Sequence, residues 1–454
     1  MKQRAGRGDI TGDIGDNIGD NIVDNIADGG PGRVLLPTID NIMLCSKLLA
    51  SSSLVAFPTE TVYGLGCSAF DKEAVRKCYE VKGRPRTSPL ICHFSSVSEA
   101  LEHVAYASRV DQEVFNLLTS SFSPGPITVI APLRRDSSIC RDVCNGGDLV
   151  GVRVPSHPLA LKLLRMCKFP IAAPSANKFA HVSPTTSSHV LDDFGGDEGV
   201  TILNGEAKKE AFSVTRCEIG IESTVVTVKE GRVEIIRKGY ITRDDIKRVV
   251  GDKAEVVDGA GGGVRPSRGG EQEGKRTCGQ SQSFEEENCG KEERLEKDSQ
   301  INEIDQDDDN NEALGGGDVA PGMCKKHYAP NGVTCYLVDF DGDADGDGDG
   351  DGNQEEGDVK VFRRSDVGSI SMLDCSGLAL SRLNCSPSSF LSYIDMLPSS
   401  SPSSHLHSAL FKNLRMLEGC PGDAVVVKVK GGGVEEAVMD RIWKACEGRR
   451  CRFL

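Results

Sequence analysis

Leu54-Val55-Ala56-Phe57-Pro58-Thr59-Glu60-Thr61-Val62-Tyr63-Gly64-Leu65-Gly66 decides how this chain is read. Four apolar residues form a short buried run, and Pro58, which cannot donate to a ladder, marks where a strand ends. The Thr-rich, Gly-bounded turn that follows offers hydroxyls and backbone N–H groups to a polar ligand. Gly64 and Gly66 permit close backbone approach there. Taken alone, the segment is equally a plain glycine turn.

Working outward, further apolar runs at 127–131, 150–154, 171–173, 224–228 and 233–236 read as strands. Residues 72–82 and 158–168 read as helices. A helix over 243–250 opens with Thr242 and Asp245 in capping-box spacing and stops at Gly251. Strands alternating with helices define an α/β domain. After a long polar stretch, structure is expected to resume near Pro321, with a strand over 334–340, a helix over 406–417, a strand over 424–430 and a helix over 434–446.

The chain has 454 residues, 51 glycines, 38% hydrophobic content and a net charge of −15. That mixture describes folded domains diluted by polar inserts. The acid is uneven: residues 41–250 hold 26 Lys+Arg against 23 Asp+Glu, a balance of +3, which leaves −18 for the rest. The first large segment can therefore host an anion. The 17 cysteines are scattered, with no C-x-x-C pair and no zinc-type spacing, so reduced thiols in the cytosol are expected. No run approaches the ~20 apolar residues of a bilayer span, and the Asp-Asn-Ile repeats near the N-terminus lack a signal-like core. A soluble, cytoplasmic protein is the expectation. In the insert at 341–358, Asp345, Asp347, Asp349, Gly350 and Glu356 match calcium-loop spacing, but an Asp-Gly repeat yields that match easily, and a solvated linker is the better reading.

Cations cluster after the first predicted helix. Asp71 is its expected N-cap, Ala74, Val75, Cys78 and Tyr79 its apolar face, and Gly83 its C′ residue. Pro85 extends Arg84. Lys82, Arg84 and Arg86 are expected to converge as a phosphate or carboxylate site, against the alternative of a solvated basic loop. In Leu149-Val150-Gly151-Val152-Arg153-Val154 the alternation sets Arg153 opposite a valine face, as a carboxylate clamp or a snorkelling edge residue. Ile171-Ala172-Ala173-Pro174-Ser175-Ala176-Asn177 reads as a strand entering a polar turn.

In order and spacing these clusters resemble the YrdC-like threonylcarbamoyl-AMP synthase family. The resemblance rests on the Pro58–Gly66 run, Lys82-x-Arg84, Ser121-Phe122-Ser123-Pro124-Gly125-Pro126, the Arg153 strand, Ser175-x-Asn177 and Gly220-Ile221-Glu222-Ser223-Thr224-Val225. Ala320 to Pro330 is similar to the linker of the two-domain form, and 410–417 and 437–442 to its C-terminal domain. Leu149, Phe179-Ala180 and Asn204-Gly205-Glu206 depart from the usual Thr, Ser-Gly and Asp-Gly-Gly.

The resemblance implies a YrdC-like twisted open mixed sheet with flanking helices, joined to a smaller Rossmann-like α/β domain. The expected division is a disordered tail at 1–38, a catalytic domain at 39–251, an acidic linker at 252–319, a pocket-covering motif at 320–330 and a C-terminal domain at 331–454. It further implies a nucleotidyltransferase. Threonine captures bicarbonate as N-carboxythreonine, whose carboxylate attacks the α-phosphorus of ATP and expels pyrophosphate, assisted by Mg²⁺. The product passes to a tRNA threonylcarbamoyl transferase complex; tRNA itself is bound weakly at most. By family match Lys82 and Arg84 are catalytic; Arg84, Ser88, Ser175, Asn177, Ser183, Arg237 and Tyr328 hold ATP; Thr61, His93, Arg153 and Ser223 hold threonine. No protein metal ligand set is expected. Lys325, Lys326 and His327 should give the linker motif a positive face toward the triphosphate. Two other classes compete: carbamoyl transfer through a carbamoyl-adenylate, disfavoured by the C-terminal domain, and RNA binding without catalysis, disfavoured by the weak positive charge and few aromatics.

Overall fold

The computed structural model describes residues 33–195, 199–207, 216–259, 327–339, 359–375, 379, 383–396, 406–418, 420, 423–427, 434–447 and 449–453. Eleven strands of the first half form one sheet: β1 Val34–Leu35, β2 Leu54–Phe57, β3 Gly64–Ser68, β4 Ile91–His93, β5 Ile127–Pro132, β6 Leu149–Arg153, β7 Ile171–Ala172, β8 Val200–Leu203, β9 Thr224–Lys229, β10 Arg232–Arg237 and β11 Glu255–Asp258. Their order is β1-β8-β2-β3-β7-β4-β6-β5-β9-β10-β11. Parallel and antiparallel pairs mix: β4 runs parallel to β6 and antiparallel to β7.

Both faces are covered, which is why the strands read as unbroken apolar runs. Leu65, Cys67, Cys92 and Val152 pack with helices Lys72–Lys82 and Arg109–Phe122. Phe57 and Ile171 pack on the other face with Ile39–Ala50 and Pro158–Cys167. Helix Lys72–Lys82 begins and ends as its residues dictate. Asp71 accepts from the N–H groups of Glu73 and Ala74, and Gly83 adopts φ 66° and closes the last turn. Thr242 and Asp245 form the expected capping box of Arg243–Val250.

The C-terminal half forms a smaller parallel sheet from β12 Cys335–Val338, β14 Ile370–Asp374, β15 Ser392–Asp395 and β16 Asp423–Val427, ordered β12-β16-β14-β15. A second parallel pair joins β13 Lys360–Phe362 to β17 Cys451–Phe453. Helices Leu406–Leu417 and Val434–Ala445 accompany it. The expected open mixed sheet with a second, smaller α/β domain is the observed architecture.

Two expected boundaries move. The tail drawn at 1–38 ends too late: Val34 and Leu35 pair with Ile202 and Leu203, and Thr38 caps helix Ile39–Ala50. The linker drawn from 252 starts too early: Glu255–Asp258 adds an edge strand to β10, with Val256 buried among acids that masked it in the composition. Residues 1–32, 260–326 and 340–358, which hold most of the predicted tail, linker and acidic insert, lie outside the described residues. No described helix is long and apolar enough to cross a membrane.

Candidate active site

Register assembles the site. His93 lies opposite Arg153 on β6 and opposite Ile171 on β7, so these side chains share one sheet face. Gly64 bridges to Ser175, bringing the turn after β2 against the loop after β7. A Cβ on Gly66 would lie 2.8 Å from Ile171 and 2.9 Å from Phe57, so any larger residue would push both side chains aside. A cleft opens over this face. Arg84, His93, Arg153, Ser175, Arg237 and Tyr328 line it. The remaining candidates, Lys82, Ser88, Asn177, Ser183, Thr61 and Ser223, are buried and support those that do.

Arg84 follows the αL turn at Gly83, where its own N–H bonds to Tyr79 O. Its guanidinium donates to Ser88 O at 3.0 Å, to Ser88 Oγ at 2.5 Å and to Pro89 O at 3.2 Å. Ser88 is thus the bracket that aims Arg84. Lys82 departs from its expected role. Its ammonium donates to Ser175 O at 2.8 Å, Asn177 O at 2.6 Å and Asn177 Oδ1 at 3.3 Å. It pins the Ser175–Asn177 loop from beneath and does not line the cleft. Burial, and then the Arg84 guanidinium beside it, bring its pKa down to about 7. Arg86 does not join the cluster. It lies in the turn beyond Pro85, mostly exposed, 3.7 Å from Glu80.

Arg153 clamps a carboxylate, but the chain's own. Nη2 donates to Glu60 Oε1 at 2.7 Å and to Thr61 Oγ1 at 2.8 Å. His93 donates from Nδ1 to Ile91 O at 3.2 Å; burial, with Arg153 adjacent, lowers it to about 3, so its ring is neutral. Arg237 reaches back to Ser223 O and Ser223 Oγ, at 3.0 and 3.1 Å from Nη2, and Ser223 Oγ meets Thr128 Oγ1 at 2.8 Å. Ser183 donates to Glu222 Oε1 at 2.5 Å.

His327 and Tyr328 close one side of the cleft. Ala329 N donates to Ala180 O at 3.1 Å, fixing this strap to the first domain. Tyr328, at φ 64°, stacks on Phe411 with ring centroids 5.3 Å apart. The expected positive face fails at His327. Burial and the charges of Lys82 and Arg84 hold its pKa well below the ordinary value, so it is neutral. Lys325 and Lys326 lie outside the described residues.

Arg153 Nε, His327 Nδ1 and Tyr328 Oη are buried without a hydrogen-bond partner in the protein. Each such group costs about 1–3 kcal/mol, and their concentration around one cleft marks a site built for a polar ligand. The sequence reading missed Glu60, Tyr63, Glu222 and Arg441. The first three sit inside quoted motifs, where a lone carboxylate or phenol among small residues was the available signal. Tyr63 Oη donates to Glu206 Oε1 at 2.8 Å and accepts from Gly205 N at 2.8 Å, so one departure from the family pattern bears on the cleft wall. Ala180, another, holds φ 63° where glycine is usual. Leu149 stands exposed.

A cleft lined by buried guanidiniums lies over the face of a mixed α/β sheet, with the strap at His327 and Tyr328 along one side, in a protein of two α/β domains. Residues 47–239 match a family model described as "Telomere recombination", and residues 291–446 match one described as "Threonylcarbamoyl-AMP synthase, C-terminal domain". A threonylcarbamoyl-AMP synthase from Pyrococcus abyssi is 39% identical over 211 residues, 46% of this chain and 57% of that protein. One from Idiomarina loihiensis is 33% identical over 165 residues, 36% of this chain and 86% of that protein. The crystal structure of P. abyssi Sua5 complexed with L-threonine superposes with a TM-score of 0.63 at 24% identity, covering 93% of this chain and 99% of that one. The chain belongs to the threonylcarbamoyl-AMP synthase family. Its match spans little more than half the length of the P. abyssi relative.

Proposed function

We propose that the chain is an L-threonylcarbamoyladenylate synthase, a nucleotidyltransferase that joins threonine, bicarbonate and ATP for N6-threonylcarbamoyladenosine modification of tRNA. The observation that carries this reading is the gathering of Arg84, Arg153 and Arg237 around one cleft in a chain of this family. The threonine amine adds to bicarbonate, releasing water and leaving a carbamate. A carbamate oxygen then bonds to the α-phosphorus as the bond to pyrophosphate breaks. Both partners are anions, so charge neutralisation and alignment do the work.

In this reading Arg84, aimed by Ser88, and Arg237, braced by Ser223, hold the nucleotide phosphates. Lys82 acts indirectly, holding Ser175 and Asn177 in place for ATP, and Ser183 does so through Glu222. Arg153, Thr61 and the neutral His93 receive threonine, with Arg153 Nε the donor still available to its carboxylate. Tyr328 and His327 cover the nucleotide and exclude water from the labile carbamate. Mg²⁺ arrives as the triphosphate's own counter-ion. Among the described residues no group of three His, Cys, Asp or Glu side chains converges, and Glu222 is already held by Ser183 and Arg441. The product goes on to a tRNA threonylcarbamoyl transferase complex in the cytoplasm.

The test is to incubate the full chain with ATP, Mg²⁺, threonine and bicarbonate and assay pyrophosphate and the adenylate. Release should require threonine and bicarbonate together. Equal release with either omitted overturns the reading in favour of another acceptor or simple ATP hydrolysis.

A further inference from the structure

We propose that Arg441, on the C-terminal helix Val434–Ala445, is a positioning residue of the cleft: it neutralises Glu222 so that a polyanion can lie against it. The inference rests on the nucleotide reading above and assigns a task to the second domain. Among the described residues that line the cleft, Glu222 is the one carboxylate, facing the space shared by Arg84 and Arg237. An unpaired carboxylate there would repel a triphosphate and cancel part of the field those guanidiniums supply.

Arg441 answers that charge from the far end of the chain. It is wholly buried, and its Nε donates to Glu222 Oε2 at 3.2 Å while Ser183 Oγ holds Oε1 at 2.5 Å. Nη1 donates to Lys238 O at 2.6 Å, next to the cleft residue Arg237, to Ala437 O at 3.2 Å and to Asp440 Oδ2 at 3.3 Å, so the guanidinium is shared between Glu222 and Asp440. The guanidinium carbon lies 5.7 Å from the ring centroid of Tyr328, which Phe411 supports from the second domain. One side chain therefore touches Glu222, the strap and the strand end carrying Arg237, without itself lining the cleft. Glu222 accordingly stays ionised: burial raises its pKa, but Arg441 and Arg237 outweigh burial and hold it below the ordinary carboxylate value. Charge compensation, beyond packing, is the role assigned.

The experiment measures ATP and threonine dissociation constants separately by calorimetry, on the full chain, for wild type, Arg441→Met and Arg441→Met with Glu222→Gln. Arg441→Met should weaken ATP at least about tenfold, the scale of one unpaired charge, with threonine within about threefold. Adding Glu222→Gln should recover most of the ATP affinity. A folded Arg441→Met that binds ATP as wild type does, or a double variant no better than the single one, overturns the inference and leaves Arg441 a packing residue. If Arg441→Met does not fold, Glu222→Gln alone decides: with the one carboxylate of the described cleft lining removed and Arg441 still held by Asp440 Oδ2 and Lys238 O, it should bind ATP more tightly than wild type, and equal or weaker binding overturns the proposal. Failure of wild type itself to bind ATP would instead sink the nucleotide reading.

Discussion

On the loop side of the cleft, Lys82 and Ser175 stand 93 residues apart within one domain and bond directly. On the strap side, Glu222 and Arg441 meet across 219 residues and two domains. The loop side is built by local rules: a helix cap, an αL glycine, a proline, a short strand. Lys82 and Arg84 are held there by hydrogen bonds to Ser175, Asn177, Ser88 and Pro89, first-domain residues all. The strap side draws on both domains: Ala329 bonds to Ala180 and Ser183 to Glu222, while Tyr328 rests on Phe411 and Glu222 on Arg441. The cations on one side are thus braced within one domain, and the groups on the other are braced across two.

The comparison is broken most severely at Arg153. Its pair with Glu60 is buried, with side chains 5% and 8% exposed. Arg153→Met should strand the carboxylate and lower unfolding free energy by about 3–5 kcal/mol in urea titrations. A loss under about 1 kcal/mol would mean that Ser156 N and the turn suffice to hold Glu60, and that the loop side is less rigid than described. Arg84→Ala comes next. It should reduce pyrophosphate release at least about a hundredfold, the scale of one charged transition-state donor, and near-normal turnover in the folded variant would remove Arg84 from the phosphate site.

Lys82 sharpens the comparison through pH. Folding lowers its pKa from 10.5 to about 7, so between these values the unfolded chain carries a proton that the folded chain does not. Stability through this group is therefore lowest below pH 7 and rises toward 10.5. The stability of wild type relative to Lys82→Met should increase across that window in denaturant titrations. A flat difference would show that Ser175 O and Asn177 O keep the ammonium charged. The smallest effect belongs to Leu149→Thr, which restores the family residue at an exposed position: stability should change by less than about 0.5 kcal/mol and ATP affinity by less than about twofold. A larger change in either would place β6 closer to the ligand than its exposure implies.

Elements with caps or long apolar runs were legible in the sequence. Helices Lys72–Lys82, Arg243–Val250 and Leu406–Leu417 and strand β2 fall where capping and periodicity place them. Gly64, Gly66 and Ser68 give β3 little strand propensity, so the sequence shows a turn there; it is a strand because β2 and β7 pair with it on either side. Edge strands β1 and β11 are too short, or too acidic, to show a period. Within the site, motif order located most of the groups near the cleft but not their partners. Arg86 was expected to share a side with Lys82 and Arg84 on extended chain, whereas Lys82 is still helical and Arg84 lies past a left-handed turn. Glu222 and Arg441 could not be paired from sequence, because nothing local to either one encodes a contact across two domains.

Gly220, at φ 72°, lies so close to the helix Leu406–Leu417 that a Cβ would sit 2.6 Å from Ser408 Cα. Beside it, Val62, Val182 and Ile221 share an apolar cluster with Leu410, Phe411 and Leu414. This face is finished long before its cover is made. At ~5–20 residues per second, the roughly 190 residues between Gly220 and Leu406 take about 10–40 s to emerge during synthesis. For that interval the first domain carries an apolar patch open to any passing chain. Gly220→Ala, by holding the covering helix off, would prolong that interval beyond translation, and its first symptom should be loss of soluble yield rather than of catalysis.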